Sequence, residues 1–166
     1  MKKNKYIIVG GPKIDQTQIQ YRRIRYMNYL ANISSNNDVY WLYASNGSLT
    51  DFGKVKIGSF QSTNGKPITS LEVSDFYFLL GRGFFGGFIG KKIIKIIGQI
   101  NIEDTLIYTV PRFAQLALLY KKSMVVYDVS DNWMGQYSFK SIKSALLRIS
   151  IYITEKRIVN SSKKII

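Results

Sequence analysis

Tyr6-Ile7-Ile8-Val9-Gly10-Gly11-Pro12 decides the fold. Four apolar residues in a row, with no polar residue alternating between them, suit a strand covered on both faces, and Gly-Gly-Pro ends it. Such strands belong to parallel sheets sandwiched between helices. The same signature recurs along the chain. Residues 39–44 form an apolar run before Ser45-Asn46-Gly47-Ser48, and residues 75–80 another before Gly81-Arg82-Gly83. Residues 105–110 run into Pro111-Arg112, and residues 124–129 into Ser130-Asp131-Asn132. Between these runs, apolar residues at helical spacing predict helices over 16–33, 88–100, 113–120 and 141–159. Residues 163–166 read as the beginning of a last strand. Residues 48–70 are polar, with Gly53, Gly58, Gly65 and Pro67, and read as loops around one short strand at 54–60. Strands alternating with helices predict an α/β chain: one Rossmann-like domain over 1–166, with a mostly parallel sheet and helices on both faces. A chain of 166 residues is long enough to bury such a core.

Composition narrows the chemistry. The chain has no cysteine and no histidine, which excludes disulfides, thiol nucleophiles, Cys/His zinc sites and a histidine base. Lys plus Arg is 24 and Asp plus Glu is 10, so the net charge is 24 − 10 = +14. That excess favours an anionic partner: a membrane face, a phosphorylated ligand or nucleic acid. A carboxylate that moves a proton must come from Asp15, Asp38, Asp51, Glu72, Asp75, Glu103, Asp104, Asp128, Asp131 or Glu155. Lys2, Lys3 and Lys5 resemble the start of a signal peptide, but the apolar run that follows is too short for one, and no stretch is apolar enough to span a bilayer. A cytoplasmic protein at the inner face of the plasma membrane is the expectation.

In doubly wound sheets, ligands bind at the carboxyl ends of the strands. Five loops are therefore expected to hold the site: those at Gly10-Gly11-Pro12, Ser45-Asn46-Gly47, Gly81-Arg82-Gly83, Pro111-Arg112 and Ser130-Asp131-Asn132. Tyr127-Asp128-Val129-Ser130-Asp131-Asn132-Trp133 brings two carboxylates, three residues apart, to that rim. Without histidine, an Asp or Glu is the natural base for an attacking hydroxyl. The simpler alternative is that Asp131 caps a turn and Asp128 binds backbone amides. Gly81-Arg82-Gly83-Phe84-Phe85-Gly86, with Glu103 and Asp104 downstream, is a literal match to the dinucleotide fingerprint. Two phenylalanines stand where the backbone must approach a pyrophosphate, which argues against that reading. Phe84, Phe85 and Phe88, followed by Lys91, Lys92 and Lys95, suit contact with an anionic membrane surface, while Ile93, Ile96, Ile97 and Ile100 face the core. Arg22, Arg23 and Arg25 near the start of the first helix could reach a phosphate at the rim or line a solvated face. No helix-turn-helix, zinc-finger or RNP pattern appears, so nucleic acid ranks below the membrane as a partner.

Three stretches carry a resemblance. They are Ile7-Ile8-Val9-Gly10-Gly11-Pro12 with the arginine-bearing helix after it, Val125-Val126-Tyr127-Asp128-Val129-Ser130-Asp131-Asn132-Trp133, and the closing segment over 153–166. Together the chain resembles the N-terminal, acceptor-binding domain of GT-B glycosyltransferases of the bacterial capsule, exopolysaccharide and teichuronic-acid type. The second stretch is similar to their "YD-x-x-D" segment. The resemblance implies half of a two-domain enzyme with its active site between the domains. The N-terminal domain takes an acceptor, often lipid-linked, and touches the membrane. The nucleotide-sugar donor is held by a C-terminal domain or a separate donor-binding subunit, so this chain itself is expected to hold no cofactor or metal. In inverting members similar to xanthan glucuronosyltransferases, an N-domain aspartate is the base, which implies Asp131 here, with Asp128 as the alternative. Gly10, Gly11 and Pro12 would line the cleft floor, and Arg22, Arg82, Arg112, Asn132 and Trp133 would contact the acceptor. The chain stops at Ile166, about where such a first domain finishes, so no transfer is expected from it alone. The rival expectation is a non-catalytic Rossmann-like module that binds a nucleotide or nucleic acid through its basic surface.

Overall fold

The computed structural model describes residues 4–10, 22–33, 36–46, 49–51, 53–75, 86–120, 124–129, 135 and 140–166. Among the described residues, seven strands form one sheet in the order β3-β4-β2-β1-β5-β6-β7. They are β1 (Asn4–Val9), β2 (Asn37–Asn46), β3 (Val55–Gln61), β4 (Pro67–Asp75), β5 (Thr105–Tyr108), β6 (Met124–Tyr127) and β7 (Lys164–Ile165). All neighbours are parallel except β3 and β4. The helices are α1 (Arg22–Ile33), α2 (Gly86–Ile97), α3 (Ala114–Leu119) and α4 (Ile142–Ser161).

Side-chain alternation splits the core into two layers. Ile8, Val39, Trp41, Tyr43 and Ile68 point to one face, where Ile24, Met27 and Ala31 of α1 cover them. Ile7, Val9, Leu42, Leu71, Leu106 and Tyr108 point to the other, under Ile89, Ile93 and Ile97 of α2, Leu116 and Ala117 of α3 and Ile158 of α4. The faces follow from connection handedness. The α1 crossover runs from β1 out to β2, and those through α2, α3 and α4 run the opposite way along the sheet, so right-handed crossovers put them on opposite faces. This is the Rossmann-like, doubly wound arrangement expected of the sequence. The predicted isoleucine face of α2 is also as expected: Ile93 and Ile97 are buried, Ile96 and Ile100 pack against the same core, and Lys91 and Lys95 are exposed.

One region differs from expectation. Residues 48–70 hold not one short strand but β3 and the first four residues of β4, which pair as an antiparallel hairpin at the edge of the sheet. Its turn closes through Ser62 N–H to Lys66 O (2.8 Å) and Gly65 N–H to Ser62 O (2.9 Å), with Gly65 at φ 74°, a conformation glycine adopts without strain. The strand β4 escaped notice because its apolar side chains serve both layers: Ile68 lies under α1, while Leu71 and Val73 lie on the other face with Thr69, Ser70 and Glu72 between them. The strand expected over 75–80 shares only Asp75 with β4, and residues 76–80 lie outside the described residues.

Candidate functional site at the strand ends

Chain direction across the sheet reverses at β1: β2 lies on one side of it and β5 on the other. Such a switch point opens a crevice at the carboxyl ends of the two strands. The parallel registers, continued one residue past the strands, bring Gly10, Thr109, Asp128 and Ile166 into one row there. Backbone bonds continue the ladder through this row. Gly10 N–H donates to Leu42 O (2.8 Å), Thr109 N–H to Val9 O (3.1 Å), Asp128 N–H to Tyr108 O (2.8 Å) and Val129 N–H to Ile166 O (3.0 Å). The Thr109 hydroxyl also donates to Val9 O (3.0 Å). Tyr108 and Tyr127 belong to the layer under α2, α3 and α4. By alternation, Thr109 and Asp128 project to the face on which α1 lies.

The described carboxylates sort by place. Asp104 is fully buried at the opposite, amino-terminal end of the strands, where it accepts from Lys5 N–H (3.0 Å) and Asn101 N–H (2.7 Å). Asp38, the second residue of β2, lies at that same end. Glu72 accepts from the Tyr43 hydroxyl (3.0 Å), Asp51 pairs with Lys54 (2.7 Å) and Glu155 accepts from the Tyr127 hydroxyl (2.6 Å). Asp128, only 2% exposed, sits at the carboxyl-end rim one strand beyond β5, and Asp75 ends β4 at the same rim on the other side, one strand beyond β2. Asp104 at the far end overturns the fingerprint reading, because the acid that grips a ribose must stand at the carboxyl end. Asp104 instead binds the backbone where β1 and β5 begin.

The loop after β5 is fixed from beneath. Tyr108 is fully buried; its hydroxyl donates to Phe113 O (2.9 Å) and accepts from Ala117 N–H (3.0 Å). Burial pushes that hydroxyl well above the usual tyrosine range, so it stays protonated and able to donate. These bonds tie down Phe113, the residue after Arg112. Arg112 is half-buried at the rim, its N–H on Val110 O (2.8 Å). Phe113 itself has φ 52°, in the left-handed region. That conformation costs roughly 1–2 kcal/mol. Burying a phenylalanine side chain is worth about 2–3 kcal/mol. Phe113 is almost completely buried, so packing outweighs the strain.

Gly10 has a packing reason of its own. A Cβ there would collide with the indole ring of Trp41, which is buried beside it on β2. The glycine lets the ring close over the end of β1.

Of the sequence-predicted site, the structure places Gly10 and Asp128 in one row at the rim and Arg112 in the loop that follows β5. Gly11, Pro12, Arg82, Asp131, Asn132 and Trp133 lie outside the described residues, as do Phe84 and Phe85. Arg22 begins α1 and Phe88 lies in α2, but their side chains are not among those described. Lys92 departs from the membrane-contact set in part: its Nζ donates to Gly53 O (3.1 Å) at the base of the β3–β4 hairpin. Thr109, Tyr108 and Trp41 were not anticipated. A threonine two residues before proline and aromatic residues inside strands give no signal that separates a rim position from ordinary core. Among the described residues, no three His, Cys, Asp or Glu side chains group to hold a metal ion. No helix among them is long and apolar enough to cross a membrane.

No family model matches the chain. Over 165 aligned residues it is 27% identical to TuaH, described as a teichuronic acid biosynthesis glycosyltransferase, of Bacillus subtilis (strain 168). That alignment covers 87% of this chain and 39% of the relative. Among solved structures it is similar to an α,α-trehalose-phosphate synthase (UDP-forming) from Burkholderia xenovorans in complex with glucose-6-phosphate, with 9% identity and a TM-score of 0.47 over 98% of this chain and 40% of that one. The chain thus spans about two fifths of the length of each. The similarity to a teichuronic acid glycosyltransferase agrees with the resemblance carried by the sequence motifs.

Proposed function

We propose that the chain is the acceptor-side half of a membrane-associated glycosyltransferase. It would serve cell-surface polysaccharide synthesis, of the capsule or teichuronic-acid kind, with a lipid-linked or glycan acceptor. The observation that carries this reading is the buried carboxylate Asp128 at the strand-end rim, in a chain similar to a glycosyltransferase along most of its length. The donor, a nucleotide sugar, is held by the complementary half. The acceptor lies across the rim of β1, β5 and β6, beside Arg112, and Gly11, Arg82 and Asn132 belong to the proposed acceptor set.

Asp131, three residues beyond Asp128, takes the proton from the acceptor hydroxyl. The hydroxyl oxygen attacks the anomeric carbon, the bond from that carbon to the nucleotide diphosphate breaks, and the diphosphate leaves with the electron pair. Asp128 is the alternative base. Positioning of the two reactants supplies the rest of the acceleration. The test is Asp131→Asn and Asp128→Asn, each in an enzyme holding both halves. Loss of the base lowers turnover about 10²–10⁴-fold. Asp131→Asn is expected to do so with an unchanged melting temperature. Turnover at the wild-type level in both variants overturns the mechanism.

A further inference from the structure

The outer side of α4 is apolar where solvent would call for polar residues. Its inner side holds Leu147, Ile151 and Ile158, all buried. Its outer side holds Ile142, Leu146, Ile149 and Tyr152, of which Ile142 is 83% exposed and the other three between 44% and 49%. Spacings of four, three and three residues align these side chains in one stripe, about 15 Å long at the rise of an α-helix. A surface helix of a protein surrounded by water carries its polar residues there.

We propose that this stripe is the surface by which the protein rests on an anionic lipid bilayer. Charge selects the occupant. Lys140 is exposed just before the helix, and Lys156 is exposed past the end of the stripe with its Nζ 5.9 Å from the centroid of the Tyr152 ring. The one acid of α4, Glu155, is bonded inward to Tyr127. An apolar stripe with a phenol at its edge, cations at its ends and no outward acid is the pattern of a helix lying in a headgroup layer. The surface continues across the layer. The α3 helix packs between α2 and α4 on the same face of the sheet, with Leu118 and Leu119 exposed, and α2 adds the exposed Lys91 and Lys95. A second copy would set these cations against their own kind, in a chain of net charge +14.

The inference deepens the membrane part of the function proposed above, but its test needs neither donor nor acceptor, so either can fail alone. The chain is sedimented with vesicles of phosphatidylglycerol and phosphatidylcholine, and with vesicles of phosphatidylcholine alone. Binding to the anionic vesicles is expected, at least about tenfold tighter than to the neutral ones and weakened by salt. The double variant Leu146→Ser, Ile149→Ser is expected to bind about tenfold or more weakly, and Lys156→Gln about fivefold, with circular dichroism and melting temperature retained. The proposal is overturned if the folded double variant binds like the wild type, or if the wild type binds neither vesicle. It is equally overturned if the stripe variants dissolve a dimer without changing vesicle binding.

Discussion

At the scale of single residues, Gly10 and Trp41 show how closely the rim is packed. The indole occupies the space that any Cβ at Gly10 would need, and it is buried, so it has nowhere to go without disturbing α1. Gly10→Ala is therefore expected to destabilise the fold by about 1–3 kcal/mol, as overpacking does. Adding Trp41→Leu should return part of that loss, which a double-mutant cycle in urea will read. Additive costs would mean that the two residues do not compete for space. Gly10 was legible in the sequence as a strand terminator, but its partner was not, because nothing in one strand names the ring on the next. Asp128 was legible for the opposite reason: a carboxylate directly after Val125-Val126-Tyr127 must come to the sheet rim wherever the strand ends.

At the scale of elements, the beginnings of strands and helices depend on a few polar side chains. Asp104 holds two backbone N–H groups, on Lys5 and Asn101, at the amino ends of β1 and β5. Asp104→Ala leaves both donors unmet in a buried setting and is expected to cost roughly 2–5 kcal/mol, measured by chemical unfolding. A loss below about 0.5 kcal/mol would contradict that role. Ser141 caps α4, its side-chain oxygen accepting from Ser144 N–H (3.2 Å). Ser141→Ala should cost about 1 kcal/mol, and Ser141→Asp far less, by the same measurement. Elements whose apolar residues face one way were readable. The strands β1, β5 and β6 appear as unbroken apolar runs, and α2 as an isoleucine stripe. The strand β4 was not, because it serves two cores and lies beside an edge strand whose residues face solvent. The outer stripe of α4 stayed hidden for a related reason. With both sides of the helix apolar, periodicity cannot tell core from surface.

At the scale of the whole molecule, ionisation couples the tyrosines to stability. Tyr43 is pushed up to about 12, first by burial and then by its bond to Glu72. Burial also raises Tyr40, Tyr108 and Tyr120 above the ordinary value of 10.0. The folded chain thus keeps protons that the unfolded chain releases above pH 10. The stability from these neutral hydroxyls is complete below pH 10 and falls as pH rises towards 12 and beyond. Urea midpoints at pH 9 and pH 11 should show a clear drop, with additional tyrosinate absorbance at pH 11 appearing on unfolding. An unchanged midpoint, or full tyrosinate absorbance in the folded chain, would contradict this.

The charge of +14, the apolar-basic helical layer and the rim with Asp128 lie on one doubly wound sheet whose relatives are more than twice as long. The central claim is that this sheet supplies the acceptor side of a sugar transfer and its partner half supplies the donor. The direct measurement incubates the 166-residue chain with radiolabelled UDP- and GDP-sugars and a membrane lipid extract, alone and together with a donor-binding half. Label should enter the lipid or glycan fraction only when both halves are present. Transfer by this chain alone, or none with the halves combined, would contradict it.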